Sequence, residues 1–215
     1  AEDQPGFADV HAGTPQPTKP SLLYVALLGG KDEAPAAIQA LLGQIQDDHG
    51  SFPAEVVFRV HSDRGKEFAN QQLSQFCLHR GIKQTLTAGY DPNANASGEN
   101  AVGAIKRRAR YLLSGVRLPT RWWGLASLAA AQLYRADAGL EAYPRLPFGT
   151  RVMIVADPAP KNAFAPRAMP GTIFGPSASV PNGLWTYQGG KVKARVHLQA
   201  QGCTDEELNL SLIHI

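Results

Sequence analysis

The apolar pattern of this chain changes character once, near Pro144, and that change limits the folds open to it more than any single residue does. Before it, compact apolar runs alternate with segments of helical spacing; after it, only short β-like runs remain, cut by Gly and Pro. The run 21–28 (SLLYVALL), closed by Gly29 and Gly30, reads as a buried strand. Ala37, Ile38, Leu41, Leu42 and Ile45 then recur at helical spacing between Glu33 and Gln46. Gly50 and Pro53 interrupt, and the β-branched run 55–62 predicts another strand. A tight turn at Asp63-Arg64-Gly65 leads into a helix predicted over 68–80 and stopped by Gly81, and residues 82–88 alternate as a half-buried strand does. The segment GYDPNANAS is turn chemistry. Two helices are predicted next. One runs from about Gly98 to Gly115 with Val102, Ile105, Ala109 and Leu112 as its buried stripe; the other spans 119–140. Trp122 and Trp123, at the start of that second apolar helix, read as core packing rather than as platforms for stacked bases.

Strand and helix alternation up to residue 140 argues for an α/β layered domain. The runs RVMIVA, GTIFG, GLWTYQGG and KVKARVHL argue for a small barrel or sandwich after it. The expected organisation is an irregular lead-in at 1–20, an α/β domain at 21–143, a small β domain at 144–200 and a disordered tail at 201–215. The closing SLIHI of that tail resembles translated sequencing-adaptor sequence and is set aside from fold reasoning.

With 215 residues, 44% of them hydrophobic, the chain can bury one good core and has room for a second, smaller one. No apolar stretch reaches the ~18 residues of a membrane span, and residues 1–20 hold four prolines and no apolar signal region. The expectation is an intracellular protein with no membrane association. Cys77 and Cys203 lack the spacing of a zinc site and are too few for a disulfide framework. Charge is more telling in its distribution than in its net value of +3. From Asn100 to Ala136 there are seven basic residues and no acidic one; from Ala142 to Gly202 there are seven against Asp157 alone. Clustered positive charge suits a polyanion, because each neutralised phosphate releases counterions, though a solvated helix face has the same composition.

Asp63 at the end of a strand and Glu99 at the opening of a helix can bring two carboxylates to one edge of a sheet. Hard oxygen donors of that kind suit Mg²⁺, and two such ions about 4 Å apart serve phosphoryl transfer. Taken alone, a turn acid and a helix-start acid explain the pair as well. The wider pattern is more specific. VHSDRGKEF, then Glu99 with 35 residues between it and Asp63, resembles the catalytic core of retroviral and copia-type retrotransposon integrases. Gly65, Glu67, Phe68, the Gly81-Ile82 pair, Tyr90, Pro92 and Asn95 match that family's pattern as well. LPFGTRVMIV, APRAMPGTIFGPS and GKVKARVHL are similar to the SH3-like domain that follows the copia-type core. The resemblance covers roughly residues 21–200.

What the resemblance implies is a ribonuclease-H-like mixed sheet with flanking helices and incomplete first strands, followed by a small all-β SH3-like barrel. It implies Mg²⁺ or Mn²⁺ held by Asp63 and Glu99, DNA as partner, self-association as an allowed assembly, and the nucleus as the place of work. A basic residue seven after the catalytic Glu contacts DNA in that family, and Lys106 holds that position. Glu99, Gly103, Lys106 and Arg110 share one helical face, which adds Arg110 as a second DNA contact, with Asn95 just ahead of the helix as a third.

Three departures stand out. The family's first catalytic Asp sits in a strand upstream of the run at 21–28; Asp9, in ADVHAGTP, is the candidate to supply it ahead of Asp3, after too short a hairpin. The glycine of the loop before Glu99 is displaced by two positions, so a left-handed backbone at Ala96 would be strained. Arg64 stands where the family has Asn. The resulting expectation is an integrase region truncated on its N-terminal side and inactive in strand transfer by itself. Two alternatives remain open: a catalytically dead remnant that only binds nucleic acid or protein, and a cellular ribonuclease-H-like nuclease, which leaves the β domain unexplained.

Overall fold

Among the described residues, the strand at the first of these carboxylates is short and has one neighbour. In the computed structural model, which describes residues 22–49, 57–87, 96–156, 158, 160–162, 164–177, 180–181 and 183–200, β1 (Arg59–Ser62) pairs in parallel with β2 (Lys83–Leu86). A parallel pair needs a crossover, and α2 (Gln71–His79) supplies it. The side chain of Asn70 caps that helix by accepting from the Leu73 amide at 2.8 Å. Its far end closes on Gly81 at φ +66°, with Ile82 N donating to Cys77 O and Gly81 N to Leu78 O; the stop read at Gly81 is there for its left-handed backbone. Helix α1 (Ala34–His49), entered by a 3₁₀ turn at Lys31–Glu33, lays Ile38 and Leu42 on the same small core of Leu73, Cys77 and Ile82.

Residues 22–28 depart from the reading. They form no strand, and Leu22, Leu27 and Leu28 are exposed. A strand needs a neighbour that meets its backbone donors and acceptors, and among the described residues this segment has no ladder partner. Leu23 and Val25 instead anchor it against the helices, and Leu27 closes on Gly124, where an added Cβ would stand 3.1 Å from its side chain.

Helix α3 (Ala96–Gly115) begins two residues earlier than read, so Ala96 is helical and the strain expected there does not arise. Among the described non-glycine residues only Arg117 has a positive φ. Ile105, Ala109, Leu112 and Leu113 are buried against α4 (Trp123–Asp137), whose alanine-rich face (Ala126, Ala129, Ala130, Ala131) lets the two helices approach closely. Val102, expected in that stripe, is 52% exposed.

After Pro144 come five antiparallel strands in the order β6-β5-β4-β3-β7: β3 (Arg151–Val155), β4 (Ala168–Pro176), β5 (Leu184–Gln188), β6 (Lys191–Arg195) and β7 (Leu198–Ala200). The class is the mixed α/β one expected, but β6 and β7 are the two edges and do not pair, so the closed barrel expected is not formed among the described residues. One face holds Val152, Ile154 and Ile173. Beyond it, Phe174 and Phe148 join the helical core, and the Trp122 ring packs tilted against Phe174 at 4.9 Å and Tyr187 at 4.8 Å. Apolar packing thus runs across the position at which the sequence pattern changes. Trp122 packs as read; Trp123, 65% exposed, does not. Among the described residues no helix is long and apolar enough to cross a membrane.

Candidate functional site

Asp63 follows the last residue of β1 directly, and the chain turns there because its carboxylate accepts the Gly65 amide at 3.0 Å. Gly65 leaves room for these carboxylates: a Cβ on it would stand 2.9 Å from the Glu67 carboxyl carbon and 3.1 Å from Asp63 Oδ1, so the Glu67 side chain would have to shift. Arg64, the departure from the family pattern, ties this turn to the end of β2 by donating from Nε to Thr87 O at 3.0 Å. The Thr87 amide in turn donates to Ser62 O. Arg64 therefore secures the turn that presents Asp63.

Glu99 lies in the first turn of α3, where a carboxylate also meets the positive end of the helix dipole. Asp63 and Glu99 are both exposed and line one open cleft between the two-stranded sheet and this helix. His61, Ser62 and Phe68 complete its β1 side; Val102, Gly103 and Lys106 complete its helical side. His61 is engaged with Thr85 Oγ1 at 2.9 Å.

The arrangement brings together three of the residues read from sequence: Asp63, Glu99 and Lys106. Arg110 is exposed but does not line the cleft. It keeps the angular face of Glu99, yet eleven residues of helix carry it about 16 Å along the axis. Asp9 and Asn95 lie outside the described residues. Val102 was missed as a wall of the cleft, although its place, three after Glu99 and four before Lys106, put it on their side of the helix.

Arg107 and Arg108 have separate fates. Arg107 is exposed and borders another depression with Ser97 and Tyr134. Arg108 is withdrawn from solvent, pairs with Asp137 and lies 4.7 Å over the Tyr134 ring. Tyr143 also donates to Asp137 at 2.6 Å. Partial burial opposes ionisation of Asp137, but these hydrogen bonds outweigh it and hold its carboxyl below the usual carboxylate value. Cys77 is buried, which pushes its thiol pKa up and leaves it a core residue.

The cleft has the hard oxygen donors that Mg²⁺ or Mn²⁺ takes, in Asp63 and Glu99. Among the described residues no group of three or more His, Cys, Asp or Glu side chains is placed to hold a metal ion. Asp63 and Glu99 therefore fit a cation in kind, with no group of three donors among the described residues.

No family model matches the sequence. One chain of the solved structures that match comes from the structure described as a cryoEM structure of the simian T-cell lymphotropic virus intasome in complex with PP2A regulatory subunit B56 gamma. It is 17% identical, with a TM-score of 0.36, over 79% of this chain and 65% of that one. This chain thus spans about 65% of the length of that one. A likeness of that size decides nothing about the cleft, whose reading rests on its own geometry.

Proposed function

We propose that this chain is a retrotransposon-type integrase region that engages DNA at the cleft between β1 and α3. The observation that carries the reading is the joint placement of Asp63, Glu99 and Lys106 on one open cleft, from a strand end and a helix start with 35 residues between them. In this reading the two carboxylates hold a divalent cation, and Lys106, about two turns along α3 from Glu99, receives the phosphate backbone. A cation bound there supplies neutralising charge to a phosphodiester and activates the attacking oxygen. Arg110 extends the basic side of α3 beyond the cleft, where it meets more distant phosphates.

A second reading has its own support. Among the described residues the metal donors stop at two, and losing a ligand weakens metal binding and misplaces reacting groups; about 1 Å of misplacement costs on the order of a hundredfold in rate. The chain by itself is then a nucleic-acid-binding element without strand transfer. A cellular ribonuclease-H-like nuclease accounts less well for a β sheet whose Phe174 and Tyr187 are packed into the helical core.

The test is Mn²⁺ titration followed by electron paramagnetic resonance, alongside Mg²⁺- or Mn²⁺-dependent nicking and joining of duplex DNA. Weak Mn²⁺ binding that disappears in both Asp63→Asn and Glu99→Gln, without joining, is the expected result. Mn²⁺ binding indifferent to both substitutions would remove the shared cation from the proposal. Joining abolished by Glu99→Gln would overturn the inactivity of the chain alone and make Asp9 the first residue to test as the third ligand.

A further inference from the structure

Asp63 and Glu99 stand on different packing units. Asp63 follows β1, which belongs with α1, α2 and β2 to the core of Leu73, Cys77 and Ile82. Glu99 opens α3, which belongs with α4 and the five-stranded sheet to the core around Ala130 and Phe174. The width of the cleft therefore depends on whatever fixes one unit against the other.

A polar strut crosses between them. The Arg135 guanidinium, on α4 and largely buried, reaches Glu141 Oε2 from Nε at 2.9 Å and from Nη2 at 2.8 Å, and donates from Nη1 to Leu23 O at 2.9 Å. Its plane lies 4.6 Å over the ring of Tyr24, so that ring is held from the α4 side. The Tyr24 hydroxyl donates to Asp48 Oδ2 at 2.8 Å and meets His49 Nε2 at 2.8 Å, both in the last turn of α1. A phenol has one proton to give, and Asp48 takes it; His49 is then the donor to the phenol oxygen. Partial burial and the Asp48 bond push the Tyr24 hydroxyl up to about 12, so at neutral pH the donor is always protonated. Two bonds to the end of α1 thus originate from a ring clamped to α4.

We propose that Tyr24, clamped by Arg135, sets the spacing between the unit carrying Asp63 and the unit carrying Glu99, and is a positioning residue for the cleft. That this spacing serves cation and DNA binding rests on the function proposed above; the spacing itself does not, and it is measured without either ligand.

Nitroxide labels at Gln75→Cys on α2 and Arg110→Cys on α3, both exposed positions, in a Cys77→Ala, Cys203→Ser background, report the distance between the units by pulsed dipolar spectroscopy. The native strut should give one narrow distribution. Tyr24→Phe removes only the hydroxyl, keeps the ring under Arg135, and should widen that distribution at least about twofold as alternative spacings become populated. Arg135→Met should widen it further; should that variant fail to fold, Tyr24→Phe decides. Arg108→Met, which breaks a pair lying wholly within the second unit, should leave it unchanged. An unaltered distribution in Tyr24→Phe, or equal widening in Arg108→Met, would overturn the assignment. Either result leaves the Mn²⁺ titration free to judge the cation site independently.

Discussion

The two units that share the cleft differ in how much holds them together. Around Glu99, ten buried apolar residues among those described form one cluster, tied to the sheet by the tilted, packed rings of Trp122, Phe148, Phe174 and Tyr187. Around Asp63, three buried residues among those described serve two helices and a two-stranded sheet, and Phe58 and Leu78 beside them are 73% and 80% exposed. Alanine explains part of the contrast, since small side chains on α4 allow close helix packing that the strand pair lacks. The metal-ligand candidates are thus held with unequal stiffness: Glu99 by a large core, Asp63 by a small core plus its own turn.

Truncations on the two sides separate these units most sharply. Phe174→Ala, at a position 1% exposed and ringed by aromatics, should cost about 3–5 kcal/mol and unfold helices and sheet together. Leu73→Ala, fully buried in the smaller cluster, should cost about 2–5 kcal/mol. Its loss should be local, so amide exchange accelerates in α1, α2, β1 and β2 while α4 keeps its protection. Denaturant unfolding with exchange read by mass spectrometry checks both. Equal loss of protection in α4 for Leu73→Ala would show one cooperative body and dissolve the contrast.

A smaller effect addresses the cleft itself. Lys106→Ala should weaken DNA binding and lower the slope of log affinity against log salt by about one phosphate contact. Arg110→Ala should lower it by less, because Arg110 stands outside the cleft. Binding isotherms across a salt series test this. Equal slopes in both variants and the native chain would leave the helix face merely solvated.

Acid titration sharpens the second unit. The folded-state pKa of Asp137 lies below its ordinary value, so its pairing with Arg108 and Tyr143 stabilises the fold fully above the unfolded carboxylate value of about 3.9. That contribution is lost as pH falls from there through the lower folded value. Asp137→Asn should flatten this part of the acid limb of thermal stability, and an identical acid limb would show that Arg108 is held by Tyr134 alone.

Much of this arrangement could be read from the chain because local chemistry fixed it. The stop at Gly81 and the turn at Asp63-Arg64-Gly65 each follow from backbone or hydrogen-bonding requirements of a few neighbouring residues. What could not be read depends on partners distant in sequence. The run 22–28 has the composition of a strand, but strand formation is decided by a neighbour, and here Leu23 and Val25 find helices instead. Val102 fits an apolar stripe by spacing, yet the core turns toward Ile105 and Ala109 and leaves it facing the cleft. Arg108 and Arg107 are adjacent and identical in type; only the positions of Asp137 and Tyr134 separate a paired, partly withdrawn guanidinium from a solvated charge. Closure of the β sheet likewise depends on whether its two edge strands meet, which no run of residues encodes alone.

The smallest expected effect lies at alkaline pH and bears on the strut between the two units. The Tyr24 hydroxyl titrates at about 12 in the folded chain, against an ordinary value near 10, through partial burial first and the Asp48 bond second. Its folded pKa is raised, so the folded chain holds the phenolic proton more tightly than the unfolded one. The strut therefore contributes fully below about pH 10, and its contribution falls away as pH rises from there toward 12. Ionisation would place a phenolate against the Asp48 carboxylate and end the donation that joins α1 to the ring. The site is partly open to solvent, so the change is modest. Thermal stability measured from pH 8 to 12 should decline in the native chain with a component that Tyr24→Phe lacks, and adding salt should shrink that component. A native and a Tyr24→Phe curve that run parallel throughout this range would mean that the hydroxyl does not couple the units, and the stiffness of Asp63 would then depend on its own small core and turn alone.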